Sequence, residues 1–409
     1  MNTHDSSLSP QSSALNMIHP DSIAGVTFEL TWDSPEAHHT DRFHKRVNFY
    51  RDTLPEGIDL MGAVPGDRRE IDLSPGRAVP PHSPKRELQL KRGQLNEEKI
   101  TPHVGRHYPM GLLKGLTNVF SDNVTPFRLV GLDDETIIAD TNHPLARYPL
   151  HLSATVENVR DKPFDRGGEC SLLMETITDG PGIQARHNGS PTDFSDPAAF
   201  EREDETPDPE FYGKPRMVTH IDDRAIEEIT AIYGRFLKPG MDVLDLMSSW
   251  RSHLPDSPAP GSVTGLGMNA EEMADNPQLT GHVVHDLNTD PRPPFDDGAF
   301  DLVICTVSVE YLTDPVPVFE DVRRVLRPGG HFGVTFSNRW FPPKAIRIWT
   351  ELHEFERMGL VLDYFHRAGG FADLETYSVR GWPRPVTDKY FPGMLLSDPV
   401  YAVWGRKAD

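Results

Sequence analysis

The chain has 409 residues, too many for one ordinary core at roughly 100–200 residues per domain, so two domains are expected. Its 62 acidic against 41 basic residues leave a formal charge of -21, which repels a phosphate backbone at long range and argues against nucleic acid as a partner. Only Cys170 and Cys305 occur, which excludes a disulfide-built secreted fold, and no window reaches the roughly 20 apolar residues of a membrane span, so a cytoplasmic protein without a membrane partner is expected.

In chain order, residues 1–23 lack the basic start and apolar run of a signal peptide and read as a disordered leader. Val26-Thr-Phe-Glu-Leu-Thr-Trp32 alternates as a half-buried strand does, and so does Leu150-His-Leu-Ser-Ala-Thr-Val156. Between them Pro75, Pro80, Pro81 and Pro84 break the chain into short pieces, so helix is expected to be scarce. Residues 106–128 read as an additional strand-and-turn element. His38, His39 and His44 lack the paired Cys/His spacing of a zinc site, so surface positions and no metal are expected.

From 161 to 210 the apolar periodicity fades into Gly, Pro and acidic residues. A flexible tether is the expectation, since such composition buries too little apolar surface to fold alone; the rival is an ordered strap across one domain.

Beyond 211 the pattern alternates between helix and strand. Ala225, Ile226, Ile229, Ile232, Tyr233, Phe236 and Leu237 recur at helical spacing, and Pro239-Gly240 ends the run. The segments 242–246, 262–266, 300–305 and 331–336 read as buried strands, and Val318, Phe319, Val322, Val325 and Leu326 as an amphipathic helix between the last two. Strands alternating with helices predict right-handed βαβ crossovers and a doubly wound parallel sheet, with 374–379 and 400–404 as a final strand pair. In such a sheet the ligand lies at the carboxyl ends of the strands where strand order reverses, which directs attention to the residues after 242–246.

Val243-Leu-Asp-Leu246, Phe295-Asp-Asp-Gly-Ala-Phe-Asp-Leu-Val303 and Val325-Leu-Arg-Pro-Gly-Gly330, in this order, resemble class I S-adenosylmethionine-dependent methyltransferases. The string Asp-Leu-Met-Ser-Ser-Trp at 245–250 is similar to that of an uncharacterised subgroup. The resemblance implies a Rossmann-like α/β domain over 211–409, S-adenosylmethionine as cofactor, and a site built from Asp245, Leu246, Met247, Ser248, Ser249, Asn269, Asp286 and Leu287. It also implies two departures. Met247, Ser249 and Arg251 stand where the family has a glycine-rich loop, and Gly267 stands where it has the acid that binds the ribose hydroxyls, leaving Asn269 as the nearest polar substitute. Methyl transfer requires alignment more than a dyad, so no catalytic residue is nominated. His253, Cys305, Glu310, Tyr311, Asn338 and Arg339 are candidates for the acceptor side, with Trp340, Phe341 and Trp349 covering its mouth or packing in the core.

Asp140-Thr-Asn-His-Pro-Leu-Ala146, together with the strands at 26–30 and 150–156 and with Val64-Pro-Gly-Asp67, resembles SlyD-type FKBP peptidyl-prolyl isomerases over 24–160. This implies a mostly β N-terminal domain with an insert and an apolar cavity lined by Leu54, Ile58, His143 and Leu145 that desolvates an X-Pro bond. The fold expected is therefore two domains, an FKBP-like β half and a methyltransferase half. The leading functional reading is methylation of a protein or peptide held by the N-terminal half. Its alternatives are a non-catalytic peptide-binding or chaperone-like protein with a degenerate methyltransferase domain, an active isomerase, or a small-molecule methyltransferase. Oligomeric state is left open.

Overall fold

The computed structural model describes residues 17–161, 170–196 and 198–408. Most of the leader therefore lies outside the described residues, and so does the stretch 162–169 at the start of the expected tether.

The N-terminal half is built from β1 (Ser22–Asp33), β2 (His38–Asn48), β3 (Arg68–Leu73), β4 (Glu87–Lys91), β5 (His107–Pro109), β6 (Pro126–Leu132), β7 (Thr136–Asp140) and β8 (Leu150–Asp161). β1 pairs antiparallel with both β2 and β8, and β3 closes that group against β8. Alternation along β1 sends Ala24, Val26, Phe28 and Leu30 into one apolar core with Leu152, Ala154 and Val156 of β8. Between β3 and β8 the chain leaves to form a separate four-stranded antiparallel sheet in the order β4-β7-β6-β5, with its own small core around Phe127, Leu129 and Ile137. The insert expected near 106–128 is thus larger, taking in β4 and β7 as well.

The described residues 170–196 and 198–210 form an ordered strap. Within it α1 (Leu173–Thr178) buries Leu173 and Ile177 in the N-terminal core, while Ile183, Phe194 and Ala199 enter the core of the C-terminal half. Fixed charges hold its far end: Arg202 pairs with Asp208 at 2.7 Å, and the fully buried ammonium of Lys344 donates to the carbonyl of Asp204 at 3.0 Å. A composition poor in apolar residues concealed the few large ones that anchor the segment.

The C-terminal half continues with α2 (Asp208–Tyr212), α3 (Asp223–Gly234), β9 (Asp242–Leu246), β10 (Ser262–Gly267), α4 (Ala270–Ala274), β11 (Gly281–Val284), β12 (Phe300–Thr306), α5 (Pro315–Val325), β13 (Leu326–Phe336), α6 (Arg347–Glu351), α7 (Glu354–Ala368), β14 (Phe371–Arg380) and β15 (Val400–Lys407). Asp222 caps α3 by accepting from the amide of Ala225, and the helix turns Ile229, Ile232 and Tyr233 onto the sheet. On the opposite face Val318, Phe319 and Val322 of α5 pack with Leu360, Val361 and Phe365 of α7. β11, β10, β9, β12 and β13 run parallel in that order, followed by the antiparallel pair β15 and β14. The doubly wound sheet read from the hydrophobic runs is present, and its order reverses between β9 and β12.

The two halves share one sheet. β14 has β2 as its second neighbour, parallel and in register from Glu375↔His38 to Arg380↔Phe43, so eleven strands run from β11 to β3 without a break. This seam is polar inside: buried Asp41 accepts from Ser378 Oγ at 2.7 Å and from Arg380 at 3.0 Å, and buried His39 meets Thr376 Oγ1 at 2.7 Å. Burial pushes the His39 imidazole down to about 3, so it is neutral there. His39 and His44 are therefore not surface histidines, whereas His38 is exposed. The reason is the seam, which no local pattern discloses. A fragment beginning at 211 would leave the β14 edge unpaired, so the molecule is best studied whole.

Candidate functional site

At the reversal of strand order a cavity of about 320 Å3 opens beyond the carboxyl ends of β9, β10 and β12. Its floor is the segment after β9. Met247 and His253 both adopt left-handed backbone, with φ of 58° and 57°. Met247 thus takes the conformation for which glycine is usually chosen, without being glycine. Across the cavity Val307, after β12, has φ 47°, a strained value for a β-branched residue, and its amide bonds to the carbonyl of Thr335 at 2.7 Å.

The loop folds back on β10. The Ser248 amide donates to the carbonyl of Leu266 at 2.7 Å, which places the Ser248 carbonyl 2.1 Å from where a Cβ on Gly267 would stand. Position 267 therefore has no room for the acid that its place in the resemblance implies. Asp245 lies beneath the loop and accepts at 2.6 Å from the hydroxyls of both Ser248 and Ser252. Burial raises its carboxyl to about 6 despite these two bonds, which favour the charged form.

Asn269 caps α4 through the amides of Glu271 and Glu272, and its NH2 donates to the carbonyl of Tyr212 at 2.9 Å. Its side chain is fully engaged in the protein, as is that of Ser249, which donates to Glu272 at 2.6 Å. Asp286, after β11, accepts from the amide of Asn288 at 3.0 Å and from Thr289 at 2.8 Å, beside buried Leu287. Of the residues nominated for cofactor, Asp245, Met247, Ser248, Ser249, Asn269, Asp286 and Leu287 all line the cavity. Leu246 does not; it points into the core.

The upper wall is aromatic and comes from segments far apart in the chain. Tyr311 stands at the centre, its hydroxyl oxygen accepting from the amide of Phe341 at 2.8 Å, and its ring lies 6.0 Å from Phe341 and 6.4 Å from Tyr212. Arg216 lies over Phe211 at 4.6 Å and Phe341 at 5.5 Å. His220 meets Phe341 edge-on at 4.9 Å, and burial, then the charge of Lys389, lowers its pKa. His253 is likewise held down to about 4 by burial and by Arg251.

Among the acceptor-side candidates, His253, Tyr311 and Arg339 line the cavity along with Trp340 and Phe341. Cys305, Glu310 and Trp349 are buried away from it, and Asn338 is exposed outside it. Burial pushes the Cys305 thiol up, consistent with a small core residue. Sequence reasoning missed Tyr212, Arg216 and His220, which precede β9, and Glu272, whose carboxylate joins Ser249 to the amide of Arg216 at 2.7 Å. The aromatic pair Phe211-Tyr212 was the available signal.

In the N-terminal half, Ile58 and Leu145 are buried in the core with Leu173 and Ile177 of α1, Leu54 packs beside them, and His143 is half-buried. The strap runs directly over Leu145: a Cβ on Gly182 would stand 2.9 Å from its side chain. These residues thus lie under α1 and the turn that follows it. Among the described residues His82, Glu87 and Asp140 come together as cation ligands would, but His82 already bonds to Glu87 at 3.1 Å and to Arg147 at 2.6 Å.

Residues 254–334 match the methyltransferase domain family. The match begins immediately after the altered loop, and it supports S-adenosylmethionine as the cofactor. No curated protein matches. Among solved structures, the chain is similar to a Haloferax volcanii protein in complex with the Trm112 methyltransferase activator, at 19% identity over 46% of this chain and 92% of that one with a TM-score of 0.36. It is also similar to S-adenosylmethionine-dependent methyltransferases from Mesorhizobium loti (17% identity, 43% and 96% covered, TM-score 0.30) and Aquifex aeolicus (17%, 49% and 97%, 0.31). At these scores the likenesses add nothing to the strand order, which stands on the pairing itself. In the described residues no helix is long and apolar enough to cross a membrane.

Proposed function

We propose that this protein is an S-adenosylmethionine-dependent methyltransferase whose cofactor lies across the ends of β9, β10 and β12. The observation that carries the reading is the convergence of the nominated residues, Leu246 apart, on one cavity at the reversal of strand order. The bound cofactor supplies an electrophilic methyl group on sulfur. The chain's own part is to hold and align: left-handed Met247 turns the main chain toward the ligand, the missing side chain at Gly267 lets the loop close on β10, and the aromatic wall excludes water.

The N-terminal half, which we read as FKBP-like from its sheet and inserted domain, acts in this proposal as scaffold. Strap residues cover Ile58 and Leu145, and the half is welded to the transferase sheet through β2. A second reading has its own support: Ser248, Ser249 and Asn269 spend their polar groups inside the protein, as a non-catalytic binding protein would allow.

Ultraviolet cross-linking of methyl-labelled S-adenosylmethionine to the whole chain, followed by peptide mapping, separates the two. The expected result is label on the peptides containing Met247 or His285 to Asn288, displaced by S-adenosylhomocysteine. Label confined to the N-terminal half, or none, would leave the non-catalytic reading.

A further inference from the structure

Asp208, Asp245, Glu272 and Asp286 all border the cavity, and three of them are committed elsewhere. Asp208 accepts from Arg202 at 2.7 Å and from Asn288 at 2.8 Å, with the Lys344 ammonium 3.4 Å away, so its charge is neutralised within the protein. Asp245 lies beneath the loop after β9, tied to two serine hydroxyls. Asp286 follows β11, two strands away from β9, and its oxygens accept within its own turn from the amide of Asn288 and the hydroxyl of Thr289.

Glu272, in α4, differs from these. It is 8% exposed, and each oxygen has a single partner: Oε1 accepts from the amide of Arg216 at 2.7 Å and Oε2 from the hydroxyl of Ser249 at 2.6 Å. Among the described residues no cation pairs with it. An ionised carboxylate has about four acceptor positions, so one remains on each oxygen. A buried carboxylate without a cation is costly unless further donors reach it, and the space that Glu272 borders is the cavity.

Strand order selects the donors. β10 lies between β9 and β11, so a cofactor that runs from the loop after β9 to Asp286 carries its sugar across the end of β10. Gly267, at that end, has no room for a side chain. Asn269 spends its oxygen on the amides of Glu271 and Glu272 and its NH2 on the carbonyls of Tyr212 and Gly213, so the polar substitute read from the sequence is not free to bind. A ribose presents two adjacent hydroxyl donors, and a carboxylate accepts both side by side with charge-assisted strength.

We propose that Glu272 takes the two ribose hydroxyls of the cofactor, from α4 rather than from the strand end, and so makes the site selective for a ribonucleoside. This rests on the transferase reading for the course of the cofactor. Ser249 and the Arg216 amide are the positioning groups, holding the carboxylate from the loop after β9 and from the segment before α3. The serine that stands in a glycine's place at 249 thus orients the acid that serves for the one missing at 267.

Calorimetry on the whole chain compares S-adenosylhomocysteine with its 2′,3′-dideoxy analogue. In the wild type the analogue is expected to bind at least about thirtyfold more weakly. Glu272→Gln keeps the shape and loses the charge; it should weaken S-adenosylhomocysteine by about tenfold or more and leave the analogue within about twofold of its wild-type affinity. Retained affinity for the analogue also shows that the variant's cavity is intact. Equal binding of the two ligands to the wild type overturns the proposal before any variant is made. So does a Glu272→Gln protein that keeps the wild-type ratio, or one that loses both ligands equally and thereby marks Glu272 as a support of the loop alone. If neither ligand binds the wild type, the transferase reading fails and takes the assignment with it; if S-adenosylhomocysteine binds and the ratio ignores Glu272, only the assignment fails.

Discussion

Gly267→Ala is expected to cost about 1–3 kcal/mol of stability and to abolish S-adenosylmethionine binding. The added methyl would stand 2.1 Å from the Ser248 carbonyl oxygen and 3.1 Å from its carbon, and both belong to main chain that no rotamer change can move aside. Relief requires the loop to lift, which breaks the bond from the Ser248 amide to Leu266 and withdraws Ser248 from buried Asp245. The cavity floor and the left-handed turn at Met247 would be lost together. Gly281→Ala, where nothing lies within 4 Å, is the control and should be nearly neutral. Denaturant unfolding and a cofactor titration on both variants check this; a Gly267→Ala protein with normal affinity would show that the loop does not form the site.

The second large effect is a pH dependence of stability. Glu310, in the turn after β12, is fully buried, and its carboxylate finds no hydrogen-bond partner in another residue. Burial raises its carboxyl from 4.5 to about 8, only partly offset by its own amide and by Arg357. Because the folded group holds its proton up to about 8 while the unfolded one releases it near 4.5, unfolding between those values sheds a proton. Stability therefore falls as pH rises through that window and levels off above it. At about 1.4 kcal/mol per pH unit the fall attributable to Glu310 is on the order of 4 kcal/mol. Glu310→Gln keeps the shape and cannot ionise, so its stability should lose that much less than the wild type between pH 5 and pH 8. Urea unfolding of both proteins at the two pH values measures the difference; equal slopes would show that Glu310 is ionised in the folded state.

What could be read from the sequence was what local pattern controls. The run 242–246 is β9 to the residue, the periodicity from Ala225 to Tyr233 is α3 with Phe236 and Leu237 just beyond its end, and Asp245, Asp286 and the residues around them meet at one cavity because strand ends in such a sheet must converge. Three things escaped. Residue type at 247 suggested a lost glycine conformation, yet the surrounding bonds impose the left-handed turn on methionine. Gly267 looked like a missing ligand, whereas its lack of a side chain is what seats Ser248. The pairing of β2 with β14 joins residues more than three hundred positions apart, and only that pairing explains why His39 and Asp41 are buried. The strap, left open in the sequence between a flexible tether and an ordered segment, is decided by partners far away in the chain: Leu173 and Ile177 pack in the N-terminal core and Phe194 in the C-terminal one.

The seam also bears on function. Trp382 and Gly381, which lead into an apolar loop at the cavity mouth, rest on His44 of β2; a Cβ at Gly381 would stand 2.3 Å from the His44 carbonyl. The N-terminal half thereby supports one wall of the cleft through main-chain contact.

Calorimetric titration of S-adenosylmethionine into the whole 409-residue chain tests the central claim most directly. One site of micromolar affinity, about -8 kcal/mol, lost in Gly267→Ala and kept in Gly281→Ala, is the predicted result. A folded protein that gives no heat with either S-adenosylmethionine or S-adenosylhomocysteine would contradict it and make the domain a binding module built on a transferase sheet.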